Sequence, residues 1–474
     1  MKKTLFFHLI AAFLLASFEA PAATKDAPIE PNVDEIFAQW DSTSSPGCAL
    51  AVIRDGEILY SRGYGMANLE HGISISPASV FYVGSVSKQF VAASIALLTE
   101  EGTLDLDDDI RKYVPEIPEY DRPITIRHMI HHTSGLRDYL TLMALAGKSF
   151  ADSTSEEEVI DLLSRQKELN FSPGEEHLYS NSGYFLLAVI LKRASGKSLR
   201  EYAEEKIFGP LGMRHSHFHD DHSTFITNRA EGHLEQDNGG WGLTRSRFAL
   251  VGSGGLYTTV EDLYRWDQNF YDNRLGKGDS DFIEKLQTPG KLNDGEKLDY
   301  AFGLSIGKYR GLDTVRHGGA LGGYRSHLLR FPSERFSVAI ECNLDAVNLG
   351  PMADQVADLY LEDKLAPKPK PEFAETTPET ESQSETAAPT AETLSEYTGE
   401  YWSEELQVTY RLFVEEGDLF GQVRKNPKNL LRWLSEDVLS GGRTKMTFER
   451  DDKKQIQGFS LDAGRVRNLR FVRK

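Results

Sequence analysis

CALAVIRDGEILYSRGY, residues 48–64, reads as two apolar-rich runs, 48–54 and 57–64, separated by Asp55-Gly56. An Asp-Gly pair between such runs signals a β-hairpin, because its glycine tolerates the positive φ of a two-residue turn. Strand signals return late in the same unit, at 314–318, 324–331 and 336–343, the last two joined by Pro332-Ser333-Glu334-Arg335. Between these ends, apolar residues recur at three- and four-residue spacing over 88–101, 156–165, 183–194, 199–207 and 260–271, which predicts helices. Strands at both ends with helices between them predict an α+β unit. Its antiparallel sheet is built from the two ends, and a helical subdomain packs against it.

Outward from this unit the composition changes. Residues 366–393, APKPKPEFAETTPETESQSETAAPTAET, hold Pro, Glu, Thr and Ser with almost nothing large and apolar. Such a stretch buries too little surface to offset its ordering entropy and is expected to be a disordered linker. Residues 394–474 carry short β-rich runs broken by Glu416-Gly417, Gly441-Gly442, Asp451-Asp452 and Ala463-Gly464, which predicts a small all-β barrel or sandwich of about seven or eight strands. At the other end, Lys2-Lys3, an apolar stretch from Leu5 to Phe18 and Ala20-Pro21-Ala22 have the three parts of a cleavable signal peptide, 1–22. The first folded unit is then 23–365. The expected product is periplasmic or secreted, with no stable membrane anchor after cleavage.

The chain has 474 residues, and its 53 Lys+Arg against 72 Asp+Glu leave a net charge of −19, which argues against nucleic acid or an anionic membrane surface as partner. Its two cysteines exclude a disulfide-rich scaffold and any four-cysteine metal site. Cys48 and Cys342 start the first strand and end the last strand of the first unit, so neighbouring strands would bring them together. Sequence alone leaves a disulfide and two buried thiols both open.

The chemistry begins at Gly84-Ser85-Val86-Ser87-Lys88, just before a helix with apolar Phe90, Val91, Ile95 and Leu98. Residues three apart share a helical face, so Lys88 can reach the Ser85 hydroxyl. The helix N-terminus there favours a neutral lysine and a developing oxyanion. Alone, the pattern more often marks a serine cap followed by a surface lysine. Tyr179-Ser180-Asn181, between a Pro-Gly turn and a helix, and His317-Gly318-Gly319, on a strand near the closing end, change that balance. Three further strings accompany them: HTSGL at 132–136, PLGM at 210–213 and GSGGLYTTVEDLYRW at 252–266.

In order, spacing and context this set resembles the penicillin-binding, class C β-lactamase-like serine hydrolases over about 46–360. The resemblance implies that Ser85 is the acylated nucleophile and that Lys88 holds and helps deprotonate it. It implies that Tyr179 is the base that later returns a proton to the leaving group, with positive charge from Lys88 beside it. Asn181 would bind the substrate amide, His317, Gly318 and Gly319 would line the substrate strand, and the backbone N–H groups of Ser85 and Ala320 would form the oxyanion hole. The departure is His317, where β-lactamases and carboxypeptidase-type penicillin-binding proteins carry Lys-Thr-Gly. A histidine, mostly neutral at pH 7, grips a carboxylate weakly. Arg316 is no substitute, since its strand neighbour position faces the other way. The His-Gly-Gly form is more similar to the D-aminopeptidase and esterase branches, whose members often carry an appended lipocalin-like barrel; GRVRNLRF, 464–471, resembles such modules.

A rival signal is His217-Phe218-His219-Asp220-Asp221-His222, with His215 nearby, which matches the H-x-H-x-D-H string of zinc hydrolases. It is set against a polar surface loop, the reading its position after the PLGM turn supports, so no metal and no cofactor are expected. The expected function is an acyl-enzyme hydrolase acting on amide or ester bonds of small molecules or short peptides, D-amino-acid-containing ones included. β-Lactamase or DD-peptidase activity is the rival within the same fold, and a non-catalytic cell-envelope binding module is the rival outside it. Oligomeric state is not legible.

Overall fold

Asp55 and Gly56 take φ of 51° and 86°, and strands β1 (Cys48–Arg54) and β2 (Glu57–Tyr64) pair antiparallel across them, as the hairpin signal requires. The computed structural model describes residues 29–149, 152–237, 239–244, 247, 249–368 and 389–474; the expected signal peptide, 1–22, and most of the expected linker lie outside these. Four late strands complete the sheet: β3 (Ser305–Tyr309), β4 (Leu312–Leu321), β5 (Tyr324–Phe331) and β6 (Phe336–Cys342). Their order is β3-β4-β5-β6-β1-β2, antiparallel throughout, so the two ends of the unit meet at β6 and β1. Cys48 faces Cys342 there and a disulfide joins them, settling the alternative the sequence left open.

Two details differ from the expectation. β3 was not predicted, although Arg310 and Gly311, at φ 46° and 93°, make the same kind of two-residue turn as Asp55-Gly56. β4 runs past 314–318 through Gly319 to Leu321, because the glycines keep pairing with Ser326 and His327 even though glycine carries no strand signal.

One sheet face, with Leu50, Val52, Val338 and Ile340, is covered by helices α1 (Glu30–Phe37) and α6 (Leu349–Tyr360). The other face carries Ala49, Ala51 and Ala339 and meets the helical subdomain. Its helices include α2 (Ser87–Glu100), α3 (Tyr139–Leu145), α4 (Asn181–Ser195) and α5 (Val260–Asn269). α2 is buried all round from Ser87 to Leu98, as suits a helix at the centre of a layer, so the residues at its N-terminus are held by core packing.

The second unit is a closed eight-stranded barrel running from β7 (Gly399–Ser403) to β14 (Leu469–Arg473), which pair with each other to close it. The last residues of the expected linker form the start of a short helix, Ala391–Glu396. The barrel docks on the helical subdomain through Arg137, whose side chain is fully buried. Arg137 donates to Glu405 Oε2 at 2.6 Å, to Gln166 Oε1, and to the backbone oxygens of Arg467 and Asn468. Glu405 also accepts from the Lys167 amide. A paired, fully hydrogen-bonded buried charge is tolerable; either partner alone is not.

Glu405→Leu strands a buried guanidinium and should destabilise the protein by about 3–5 kcal/mol, read as a lower denaturant midpoint; an unchanged midpoint would mean that the interface does not depend on the pair. Glu341 of β6 is fully buried between Ala49 and Ser326, and neither carboxyl oxygen has a hydrogen-bond partner among the described residues. Burial, with Asp262 adding, holds its pKa well above the carboxylate range, so the folded chain keeps a proton that the unfolded chain releases. Stability therefore falls as pH rises past the ordinary carboxylate range, until the buried acid itself ionises. Glu341→Gln should raise the thermal midpoint at neutral pH and leave the two proteins alike near pH ~4; parallel pH profiles would contradict this.

Candidate active site

The serine lies on a tight turn, Gly84–Val86, that feeds α2. Gly84 takes φ 50°, and a Cβ there would sit 2.7 Å from the Ala320 nitrogen; a Cβ on Gly319 would sit 2.0 Å from the Val83 oxygen. These two glycines let the turn press against β4, and Ser326 Oγ fastens it by donating to Val83 O at 2.7 Å. The Ala320 N–H is thereby brought beside the Ser85 turn, the arrangement expected of a backbone oxyanion pair.

Lys88 is fully buried, and its Nζ lies 3.0 Å from Ser85 Oγ, 3.0 Å from Asn181 Oδ1 and 2.6 Å from the Ser253 backbone oxygen. Burial pushes its pKa well below the ordinary lysine value; Asp138 opposes this and Arg465 adds to it. A lysine so placed can accept the serine proton. Asn181 is oriented from behind, because Asp138 Oδ2 accepts from both its backbone N–H (2.7 Å) and its Nδ2 (2.8 Å).

Tyr179 closes the other side. Burial raises its phenol pKa, and the Ser85 hydroxyl and Arg465 pull the other way. The Lys88 nitrogen lies 4.9 Å from its ring centre and the Arg465 guanidinium 4.7 Å. Since burial weakens Lys88 as a cation, the permanent charge beside Tyr179 is that of Arg465. The barrel loop 463–468 delivers this arginine, and the Asp138 amide and Asn170 Nδ2 hold its backbone oxygen.

His317 is buried with both nitrogens engaged. Nδ1 donates to the Gly318 oxygen at 2.7 Å and Nε2 accepts from the Tyr300 hydroxyl at 3.0 Å. Burial, together with Lys88, pushes its pKa down to about 3, so it carries no charge for a carboxylate. Arg316 points away, toward Asp354.

Ser85, Tyr179, Asn181, His317, Gly318, Gly319 and Ala320 thus line one cleft of about 500 Å³, with Lys88 beneath it. Arg325 and Arg465 line it as well, and among the described residues no Asp or Glu side chain does. Sequence reading missed Asp138, Arg325 and Arg465. Asp138 lies just beyond HTSGL, and Arg465 stands inside GRVRNLRF, so each lay in or beside a quoted string without a spacing rule to single it out.

The histidine string does not gather. His217 Nε2 and His219 Nδ1 lie 3.4 Å apart, Asp220 pairs with Arg200, and Asp221 bonds within its own turn. Among the described residues no three metal-ligating side chains cluster.

The sequence pattern of the beta-lactamase family matches residues 33–361. A D-aminopeptidase of Gluconobacter oxydans is 32% identical over 300 residues, covering 63% of this chain and 56% of the relative. Penicillin-binding protein 4* of Bacillus subtilis is 32% identical over 303 residues, covering 59% and 64%. The chain therefore spans less than two thirds of the length of these curated relatives. Among solved structures, the octameric penicillin-binding protein homologue from Pyrococcus abyssi superposes with a TM-score of 0.62 at 24% identity, over 94% of this chain and 99% of that one, so the shared fold takes in the barrel. The D-amino acid amidase from Ochrobactrum anthropi SV3 gives 0.59 at 22% identity, over 71% and 99%. With the pattern matched over residues 33–361, well over half of the chain, the chain belongs to the beta-lactamase family.

Proposed function

We propose that the protein is an exported serine hydrolase that acylates Ser85 and releases the acyl group to water. The observation that carries this is the buried Lys88 Nζ, 3.0 Å from Ser85 Oγ and held below its ordinary pKa. Neutral Lys88 takes the Ser85 proton as Oγ bonds to the substrate carbonyl carbon. The carbonyl oxygen, now negative, is met by the Ser85 and Ala320 N–H groups. When the C–N or C–O bond breaks, the leaving atom takes a proton from the Tyr179 phenol, which burial keeps protonated, and the Lys88 ammonium replaces that proton. Water then adds to the acyl carbon, giving a proton to the same pair, and Ser85 leaves with one.

The cleft fits a substrate bearing a carboxylate. Arg465 lies over the Tyr179 ring at its mouth, and among the described residues no Asp or Glu side chain lines it. Arg465 supplies the charge that neutral His317 does not. The similarity to D-aminopeptidases supports short peptides containing D-amino acids as the substrate class. Export is proposed from the 1–22 leader and agrees with a disulfide between Cys48 and Cys342. The proposed division is a catalytic unit, 23–365, and a barrel, 394–474, that covers one side of the cleft. Penicillin-binding or β-lactamase behaviour is the second reading, favoured by the same arginine, since a penicillin carries a carboxylate.

A fluorophosphonate probe should add one adduct to the wild type and none to Ser85→Ala by intact mass; an adduct elsewhere, or none, would remove the nucleophile. A labelled penicillin that stays bound at Ser85 would move the reading to a penicillin-binding protein. Arg465→Ala should raise KM about tenfold or more for a carboxylate-bearing substrate and leave its neutral amide analogue within about twofold, the loss of one charge-assisted contact. Equal effects on both would reject the anion-binding role.

A further inference from the structure

His132 is the first residue of HTSGL and has no role in the scheme above. It sits just after a short helix, Ile126–Ile130, at φ 58°, a left-handed conformation uncommon for a residue with a side chain. Three contacts converge on it from the segment that carries Tyr179. Its backbone oxygen accepts the Leu178 N–H at 3.0 Å, and its Nδ1 accepts the Ser180 N–H at 3.1 Å. Its ring lies 4.2 Å, centre to centre, from the Tyr179 ring. The residues on either side of the tyrosine are thus bonded to the same histidine whose ring supports the phenol.

These contacts also fix the tautomer. Because Nδ1 accepts, the hydrogen is on Nε2, and that buried Nε2 has no hydrogen-bond partner among the described residues. An apolar ring would pack among Tyr179, Tyr184 and Tyr300 without leaving a buried donor unmet. What the imidazole adds is the acceptor. Burial, with Lys88, His177, His317 and His131 around it, keeps the ring neutral and so keeps that acceptor available.

We infer that His132 is a positioning residue for Tyr179: its Nδ1 holds the Ser180 amide and its ring supports the phenol, so that the hydroxyl stays aimed at Ser85. The inference rests on the reading of Tyr179 as the group that moves the leaving-group proton. Asparagine offers Oδ1 where histidine offers Nδ1 and tolerates positive φ, whereas alanine lacks the acceptor.

The test uses the full chain with 3-fluorotyrosine placed at 179, comparing wild type, His132→Asn and His132→Ala by 19F spectrum and by kcat and KM on a chromogenic ester. His132→Ala should shift or broaden the 19F resonance and lower kcat about 100-fold with KM within about threefold, since a displacement of about 1 Å is enough for such a loss. His132→Asn keeps the acceptor but not the ring, so it should narrow the resonance relative to alanine and bring kcat to within about fivefold of wild type. An alanine variant with the wild-type resonance and kcat would overturn the assignment, and so would an asparagine variant as impaired as alanine. Tyr179→Phe is run alongside. If it turns over normally, the proton-transfer reading of Tyr179 fails, while the 19F resonance still decides whether His132 fixes the ring.

Discussion

A lysine with no exposed surface must place three hydrogen-bonding positions on protein atoms, and the rest of the site follows from where they go. Lys88 meets Ser85, Asn181 and the Ser253 oxygen, which arrive from the turn before α2, the first residue of α4 and the loop before α5. Each partner is itself held: Asn181 by Asp138, Ser253 through its hydroxyl contact with Tyr139, and the serine turn by Ser326. The lysine is therefore a node joining three segments of the helical subdomain to strands β4 and β5 of the sheet. Removing it from water makes its proton easy to lose, and surrounding it with fixed dipoles keeps its aim.

The field in the cleft runs against the field of the whole molecule. A chain with a net charge of −19 repels anions at long range, yet its cleft holds Arg465 beside Tyr179, and among the described residues no Asp or Glu side chain lines it. With a Debye length of about 8 Å in physiological salt, the distant acidic surface is largely screened at the cleft, where Arg465 sets the local field. Net charge thus bears on large polyanionic partners and carries no information about a small anionic substrate.

The parts of the site that were legible are those where a regular element fixes the spacing. Ser85 and Lys88 are one helical turn apart, Tyr179 and Asn181 straddle a helix start, and the two glycines after His317 mark a backbone that must be approached closely. The sheet was legible for the same reason, from its hairpin turn and the apolar runs at both ends. Asp138, Arg325 and Arg465 were not, because an ordinary polar residue gains its meaning only from the partner across space. Arg465 reaches the cleft from a loop of the second unit, more than 300 residues after the nucleophile, and no periodicity relates the two. The strand Ser305–Tyr309 escaped because an edge strand is half exposed and its apolar pattern is weak.

The barrel belongs to the site in a stronger sense than coverage. Residues 137–139 are consecutive, and each secures a different part of the molecule. Arg137 holds Glu405 and the barrel loop, Asp138 orients Asn181 while its own N–H meets the Arg465 oxygen, and Tyr139 touches Ser253. Two of the three groups bound to Lys88 are thus positioned by residues next to the arginine that docks the barrel. A shift in docking would be transmitted along one short stretch of backbone to Asn181 and Ser253, and through them to the lysine. The guanidinium beside Tyr179 would move with it. Close packing leaves such a stretch little room to adjust, so barrel docking and lysine alignment draw on the same three residues.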